Sequence, residues 1–153
     1  MHELLAGYGL AALFVLSFCA STLLPLGSEW LVVTLLLRGN SPAAVVAVAT
    51  VGNSLGSATN YVIGRYGWRR FGKRASALNR LRLRRARYWF NRYGSYSLLL
   101  AWLPVIGDPL CLISGMLATP WLRFAVLVTT GKAARYSVLA LITLKGAALA
   151  ASL

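Results

Sequence analysis

The sequence has few of the residues that keep a protein dissolved in water. Only 12% of its 153 residues are charged and 58% are hydrophobic, whereas a soluble domain typically carries about 25% charged residues. Acids are scarcest: Glu3, Glu29 and Asp108 stand against 16 lysines and arginines, which gives a net charge of +13. This composition argues against a soluble enzyme and indicates an integral membrane protein.

Histidine and cysteine are also nearly absent. His2 is the only histidine, and Cys19 and Cys111 lie far apart in apolar sequence. A metal site needs several such ligands at close spacing, and nucleophilic catalysis needs a nucleophile beside a base. The sequence therefore predicts no metal, no cofactor and no enzymatic activity.

Most of the basic residues lie in one segment between two apolar halves. Ten of the sixteen fall between Arg69 and Arg92, and such an excess marks the cytoplasmic side of a membrane protein. Interleaved leucine and aromatic side chains suit a helix lying on anionic head groups, although a plain cytoplasmic loop would have the same composition. We predict a cytoplasmic linker at 67–93 that contacts anionic lipids. Nucleic-acid binding explains the tract less economically and is not expected.

Proline, glycine and an acid interrupt two apolar stretches. The first, 4–37, is too long for one span of about 20 residues and too short for two spans with a turn. Both interruptions are explained if the chain turns inside the membrane and leaves on the side it entered. Such a turn requires that protein or water surrounds the exposed backbone. We predict re-entrant hairpins over ~4–38 and ~95–118 and transmembrane helices over ~42–66 and ~121–145. The predicted hairpin tips are Pro25, Gly27, Pro104 and Gly107.

An offset of 79 residues superimposes the two halves of the chain. It places Pro25 on Pro104, Glu29 on Asp108, and Gly52 on Gly131. A hairpin keeps the chain on one side and a span changes sides, so the two halves, 1–66 and 94–153, must have opposite orientations. We predict an all-α integral membrane protein built as an inverted repeat, an arrangement in which transporters place their binding site between discontinuous helices.

The acids at the predicted tips are the first candidates for chemistry. Carboxylates in apolar membrane sequence are costly and usually face a cavity or the bundle interior. Glu29 and Asp108 are therefore interpreted as proton-coupling or substrate groups. A structural alternative is that each caps a half-helix or pairs with an arginine.

Polar residues within the predicted spans complete the candidate site. Lys132 and Arg135 need a counterion such as Glu29 or Asp108, or else they bind an anionic substrate group. Arg65 is a third candidate for anion binding, unless it only extends to the membrane surface. Gly52 and Gly56 have the spacing of close helix contacts. In the same run of residues, Asn53 and Asn60 are predicted to line a cavity.

Several motifs resemble the DedA family, also called the SNARE-associated or VTT-domain membrane proteins, and in particular a short branch of it. The family motifs are Gly52–Gly56, Asn60–Arg65, Tyr93–Gly94, Leu103–Pro104, Ser114–Met116 and Gly131–Lys132. The short branch is indicated by Leu24–Pro25 with Ser28–Glu29, by Trp102–Val105 with Gly107–Asp108, and by Gly131–Ala133 with Arg135–Tyr136. The resemblance covers nearly the whole chain. It implies two facing re-entrant hairpins in a helical bundle, a role in envelope homeostasis and, for some members, proton-linked movement of polyprenyl phosphate.

The resemblance also assigns residues. Glu29 matches the acid of the family's first hairpin, and Arg65 matches the arginine that closes a Gly-Tyr-x-x-Gly-Arg pattern. Asn60 departs from the first glycine of that pattern. Typical members carry an arginine after the proline of the second hairpin, whereas this chain has Asp108 close to that position. Arg135 is the candidate to take the place of that arginine in the folded protein.

The sequence pattern and the resemblance together predict a multi-pass protein of the bacterial inner membrane that binds or moves an anionic lipid-linked substrate, coupled to protons. The resemblance implies that this substrate is of the polyprenyl phosphate class. The alternatives are a non-transporting structural membrane protein of the envelope and an enzyme acting on lipid phosphates. A bundle of this size is expected to need a homodimer to seal a cavity.

Overall fold

The computed structural model describes residues 2–22, 28–71, 88, 90, 94–103 and 107–152. All the regular elements within these residues are helical, and the prediction of an all-α protein is confirmed there. The α-helices are α1 (His2–Thr22), α2 (Glu29–Leu37), α3 (Pro42–Phe71), α4 (Gly107–Met116) and α5 (Trp121–Ala150), and a 3-10 helix, Gly94–Trp102, precedes α4. The predicted tip residues Pro25, Gly27 and Pro104 and most of the basic linker lie outside the described residues.

The two longest helices differ in their suitability for crossing a membrane. α5 has 30 residues and is the one described helix whose length and apolar composition both suffice for a span. α3 is equally long, but the small polar run Gly52–Asn60 and the basic residues near its end lower its hydropathy. α3 also continues past the predicted boundary at residue 66 to Phe71 and includes Gly67.

Two short helices lie within the segments predicted to form hairpins. α2 has 9 residues and α4 has 10, so each rises about 13–15 Å, half of a hydrocarbon core about 30 Å thick. The helices that precede them differ in length: α1 has 21 residues, whereas the 3-10 helix has 9.

α2 and α4 end in the same backbone geometry, 79 residues apart. Gly39 follows α2 with φ +82°, and Ala118 follows α4 with φ +55°. A left-handed residue with two backward hydrogen bonds is the Schellman helix end. Those bonds run from Gly39 N to Leu36 O, Asn40 N to Leu35 O, Ala118 N to Gly115 O and Thr119 N to Ser114 O, at 3.0–3.1 Å. The offset found in the sequence therefore holds for local backbone structure as well.

The chain divides into two compact units. Unit 1 comprises Met1–Gly56 and Lys132–Leu153, and unit 2 comprises Ser57–Gly131. Each unit contains one predicted hairpin and part of both long helices, so the units cut across the predicted repeats. The core of unit 1 joins α1, α2, α3 and α5 through Leu13, Val32, Leu35, Leu36, Val45, Ala49, Tyr136 and Ala140. That of unit 2 contains Tyr61, Phe90, Leu98, Ala101, Cys111, Phe124 and Val128.

Glycines allow helices to pack closely inside each unit. A Cβ atom added to Gly52 would lie 2.7 Å from the Phe14 carbonyl oxygen, and one added to Gly56 would lie 2.6 Å from that of Phe18. The predicted packing role of this glycine pair is confirmed, and its partner is α1. In unit 2, a Cβ added to Gly115 would collide with the backbone of Tyr61.

Candidate functional site

A buried lysine lies at the centre of the polar residues in unit 1. Lys132, on α5, is only 3% exposed. Its Nζ donates hydrogen bonds to Ser21 Oγ at 3.0 Å, to the carbonyl oxygen of Asn53 at 2.8 Å, and to Asn53 Oδ1. The ammonium group is thus held by three uncharged oxygens from α1 and α3.

A second buried hydroxyl extends this network to α2. Tyr136 is 1% exposed and accepts a hydrogen bond from Asn53 Nδ2 at 2.7 Å. Its hydroxyl also shares a 2.7 Å hydrogen bond with Ser28 Oγ. An ammonium group can only donate, so Asn53 presents its oxygen to Lys132 and its NH2 group to Tyr136. The chain of hydrogen bonds therefore runs from Lys132 through Asn53 and Tyr136 to Ser28.

An ion pair lies at the start of α2. The Arg135 guanidinium pairs with the Glu29 carboxylate, and the two side chains remain 22% and 31% exposed. The same guanidinium lies 5.9 Å from the centre of the Tyr136 ring, within the range of a cation–π contact. Arg135 therefore has one of the counterions that the sequence offered, and this pair keeps more solvent contact than Lys132.

Helix periodicity explains how α5 supplies all three side chains. Residues three and four apart share a helix face, so Lys132, Arg135 and Tyr136 lie together. Ser21 and Ser28, which accompany them, flank the segment where the first hairpin tip was predicted. Sequence reasoning assigned no role to Ser21, Ser28 or Tyr136, although Ser28 and Tyr136 belong to the motifs of the short branch. The spacing of Tyr136 from Lys132 was an available signal for one of them, but serines in apolar helices carry no pattern of their own.

Unit 2 places the other candidates in a different environment. Arg65 Nη1 donates to the Tyr61 hydroxyl at 2.8 Å, and that hydroxyl donates to the Thr119 carbonyl oxygen at 2.5 Å. The Tyr61 ring packs on Trp121 and Phe124, with centroids 5.3 and 4.5 Å away. Arg65 is thus held near the C-terminal end of α4. A cation at the C-terminal end of a helix stabilises that helix.

The remaining predicted residues of unit 2 lie elsewhere in its helices. Asp108 lies in the first turn of α4, and both Asp108 and Asn60 are half-buried. Gly107 begins α4 and is buried against the backbone of Ala101.

A groove between α3 and α5 in unit 1 has a volume of about 490 Å³. Its lining is apolar except for Thr50 and Ser137. Asn53 does not line it, because its side chain turns to Lys132 and Tyr136 instead.

Comparison with known proteins agrees with the motifs. The pattern that defines the VTT domain matches residues 24–144. The chain belongs to the VTT-domain (DedA) family. As a family member it is similar to the inner membrane protein YqaA of Escherichia coli, with 41% identity over 138 residues that cover 90% of this chain and 92% of the relative.

Two further relatives are also similar over most of their length. Inner membrane protein YqaA of Shigella flexneri is also 41% identical over 138 residues. An uncharacterized protein of Haemophilus influenzae is 37% identical, and the similarity covers 83% of this chain and 82% of the relative. No solved structure matches the chain.

Proposed function

We propose that this VTT-domain protein binds and moves an anionic lipid-linked substrate of the polyprenyl phosphate class across the bacterial inner membrane, coupled to protons. Membership of the family and the names of its relatives support an inner-membrane location. The observation that carries the proposal is the Glu29–Arg135 pair at the first turn of α2. A carboxylate and an arginine in a chain this poor in acids are expected to serve a function, because both are costly in a membrane.

The proposed architecture is an inverted repeat of a re-entrant hairpin followed by a transmembrane helix. The matching ends of α2 and α4 support it, because their hydrogen bonds and left-handed residues recur at the 79-residue offset. The half-membrane lengths of these two helices support it as well. Glu29 and Asp108 lie at equivalent positions in the first turns of the two helices, and transporters of this type bring helix N-termini to a substrate.

The proposed mechanism is an exchange of anions at Arg135. A guanidinium fork fits a carboxylate and a phosphate equally well, so the Glu29 carboxylate occupies the place that the lipid phosphate takes. When Glu29 takes up a proton, its attraction for Arg135 falls, and the phosphate binds with further stabilisation from the N-terminus of α2. Deprotonation of Glu29 then displaces the phosphate, so that substrate release is coupled to loss of the proton. Asp108 and Arg65 are the corresponding candidates in unit 2.

The test is transbilayer movement of a fluorescent polyprenyl phosphate in reconstituted vesicles, with and without a proton gradient. We expect wild-type movement to depend on the gradient. Glu29→Gln should still bind the lipid but lose gradient dependence, because glutamine imitates the protonated acid. Arg135→Gln should lose binding itself, and Asp108→Asn should lose gradient dependence.

The matched control is Arg123→Gln, which removes an exposed arginine from the same helix and should leave movement unchanged. Full gradient-dependent activity in both acid variants would refute the mechanism. A correctly inserted wild-type protein that neither binds nor moves the lipid would instead favour a structural role in the envelope.

A further inference from the structure

The ammonium group of Lys132 contacts three oxygens of two buried residues. Ser21 Oγ, the Asn53 carbonyl oxygen and Asn53 Oδ1 all accept its hydrogen bonds, and both residues are buried. A substrate anion would have to displace these contacts to reach the nitrogen. Lys132 therefore differs from Arg135, three residues further along α5, although the sequence suggested one role for both.

A cluster of neutral oxygens is the environment that proteins give to monovalent cations. Carbonyl, amide and hydroxyl oxygens replace the hydration shell of such an ion. A lysine ammonium is a compact point charge with three donors, so it meets the same set of ligands as a free ion of similar size. The contacts of 2.8 and 3.0 Å to the Asn53 carbonyl and to Ser21 have the length of ordinary ammonium–oxygen hydrogen bonds.

The cluster around the Lys132 ammonium group joins equivalent positions of the two proposed repeats. Asn53 and Lys132 are separated by the repeat offset of 79 residues and contact each other. Equivalent positions of two repeats meet only near the axis that relates the repeats. In transporters built from inverted repeats, the coupling ions bind at the interface between the repeats, where carbonyl oxygens coordinate them.

We infer that the oxygens of Ser21 and Asn53 form a monovalent-cation site, and that the Lys132 ammonium is its permanent occupant. With regard to transport, this inference rests on the proposed function. A site filled by the chain's own side chain needs no soluble cation, so this site does not couple the proposed transport to sodium or potassium. The cation site itself can be tested without any transport assay.

The test is the thermal stability of Lys132→Ala in detergent, measured in ammonium chloride, potassium chloride and choline chloride at equal ionic strength. Removing the side chain leaves the oxygens and an opening of the right size. A ligand that binds only the folded state raises its stability with concentration. We expect a saturable rise in melting temperature with ammonium and a smaller one with potassium, but no rise with choline, which is too large.

Three controls define the site. Lys132→Met fills the same space without charge and should not respond to ammonium. Asn53→Leu in the Lys132→Ala background removes a ligand oxygen and should abolish the response. Wild type should melt at the same temperature in all three salts, because its site is occupied.

The outcomes separate the cation site from transport. An equal response of Lys132→Ala to ammonium and choline would overturn the inference, and so would a potassium-dependent wild type. If Lys132→Ala folds only when ammonium is present during solubilisation, the inference is supported; failure to fold in every salt contradicts it. A saturable ammonium response in a protein that moves no lipid would leave the site standing and refute the proposed function alone.

Discussion

Removing one hydroxyl from Tyr136 tests whether the buried network holds unit 1 together. In Tyr136→Phe the ring stays in the core, but Asn53 Nδ2 and Ser28 Oγ each lose a partner at 2.7 Å. Hydrogen bonds between membrane helices have been worth about 0.6 kcal/mol on average and up to about 1.7 kcal/mol. Two lost bonds therefore predict a decrease of about 1–3 kcal/mol in the free energy of unfolding.

The assay is reversible unfolding in mixed micelles, followed by circular dichroism as the denaturing detergent is increased. Tyr8→Phe is the matched control, since Tyr8 is 75% exposed and its hydroxyl should contribute almost nothing. Ser28→Ala and the double variant with Tyr136→Phe complete a cycle. Because the Tyr136–Ser28 bond is removed by either change, the double variant should lose less than the sum of the single losses.

Equal stabilities of Tyr136→Phe and Tyr8→Phe would refute the reasoning. So would strict additivity in the cycle, because it would mean that Tyr136 and Ser28 do not share a stabilising contact.

Two further predictions address the repeat. Gly39→Ala should destabilise the protein by about 1 kcal/mol, because it places a side chain at a residue with positive φ, where no neighbouring atom obstructs it. Ala118→Gly should stabilise the protein by about 0.5–1 kcal/mol, because it relieves the same backbone strain. If both substitutions changed the free energy of unfolding in detergent in the same direction, this prediction would be wrong. Cysteines introduced singly at His2 and Asn40, in a background without native cysteines, should react with an impermeant maleimide from the same face of sealed vesicles if the first hairpin is re-entrant. Labelling from opposite faces would exclude that topology.

Much of the local structure was predictable because it depends on short-range rules. Pro42 opens α3, where its missing N–H costs no hydrogen bond, and Gly52 and Gly56 have the spacing that close helix contact requires. The position of the left-handed residue after α2 is favourable for glycine, and Gly39 occupies it. Ala118 occupies the equivalent place after α4 without such a signal.

The candidate site was predictable only in part. Glu29 and Arg135 could be singled out because charges in apolar sequence are rare and need partners. The roles of Asn53 and Lys132 could not be separated, since both a cavity and a packed network would contain them. Ser21 and Ser28 were assigned no role, because a serine in apolar sequence is compatible with many environments.

The sequence by itself determined that the protein lies in a membrane, that it is helical and to which family it belongs. Composition, the length of apolar stretches and motifs depend on residue type and spacing alone. It also determined which residues carry charge into the apolar halves. Only the tertiary structure decided which charge meets which partner: Arg135 meets Glu29, while Lys132 meets the oxygens of Ser21 and Asn53. Those contacts join residues more than 75 positions apart, and their distances depend on how the helices pack, which no local pattern specifies.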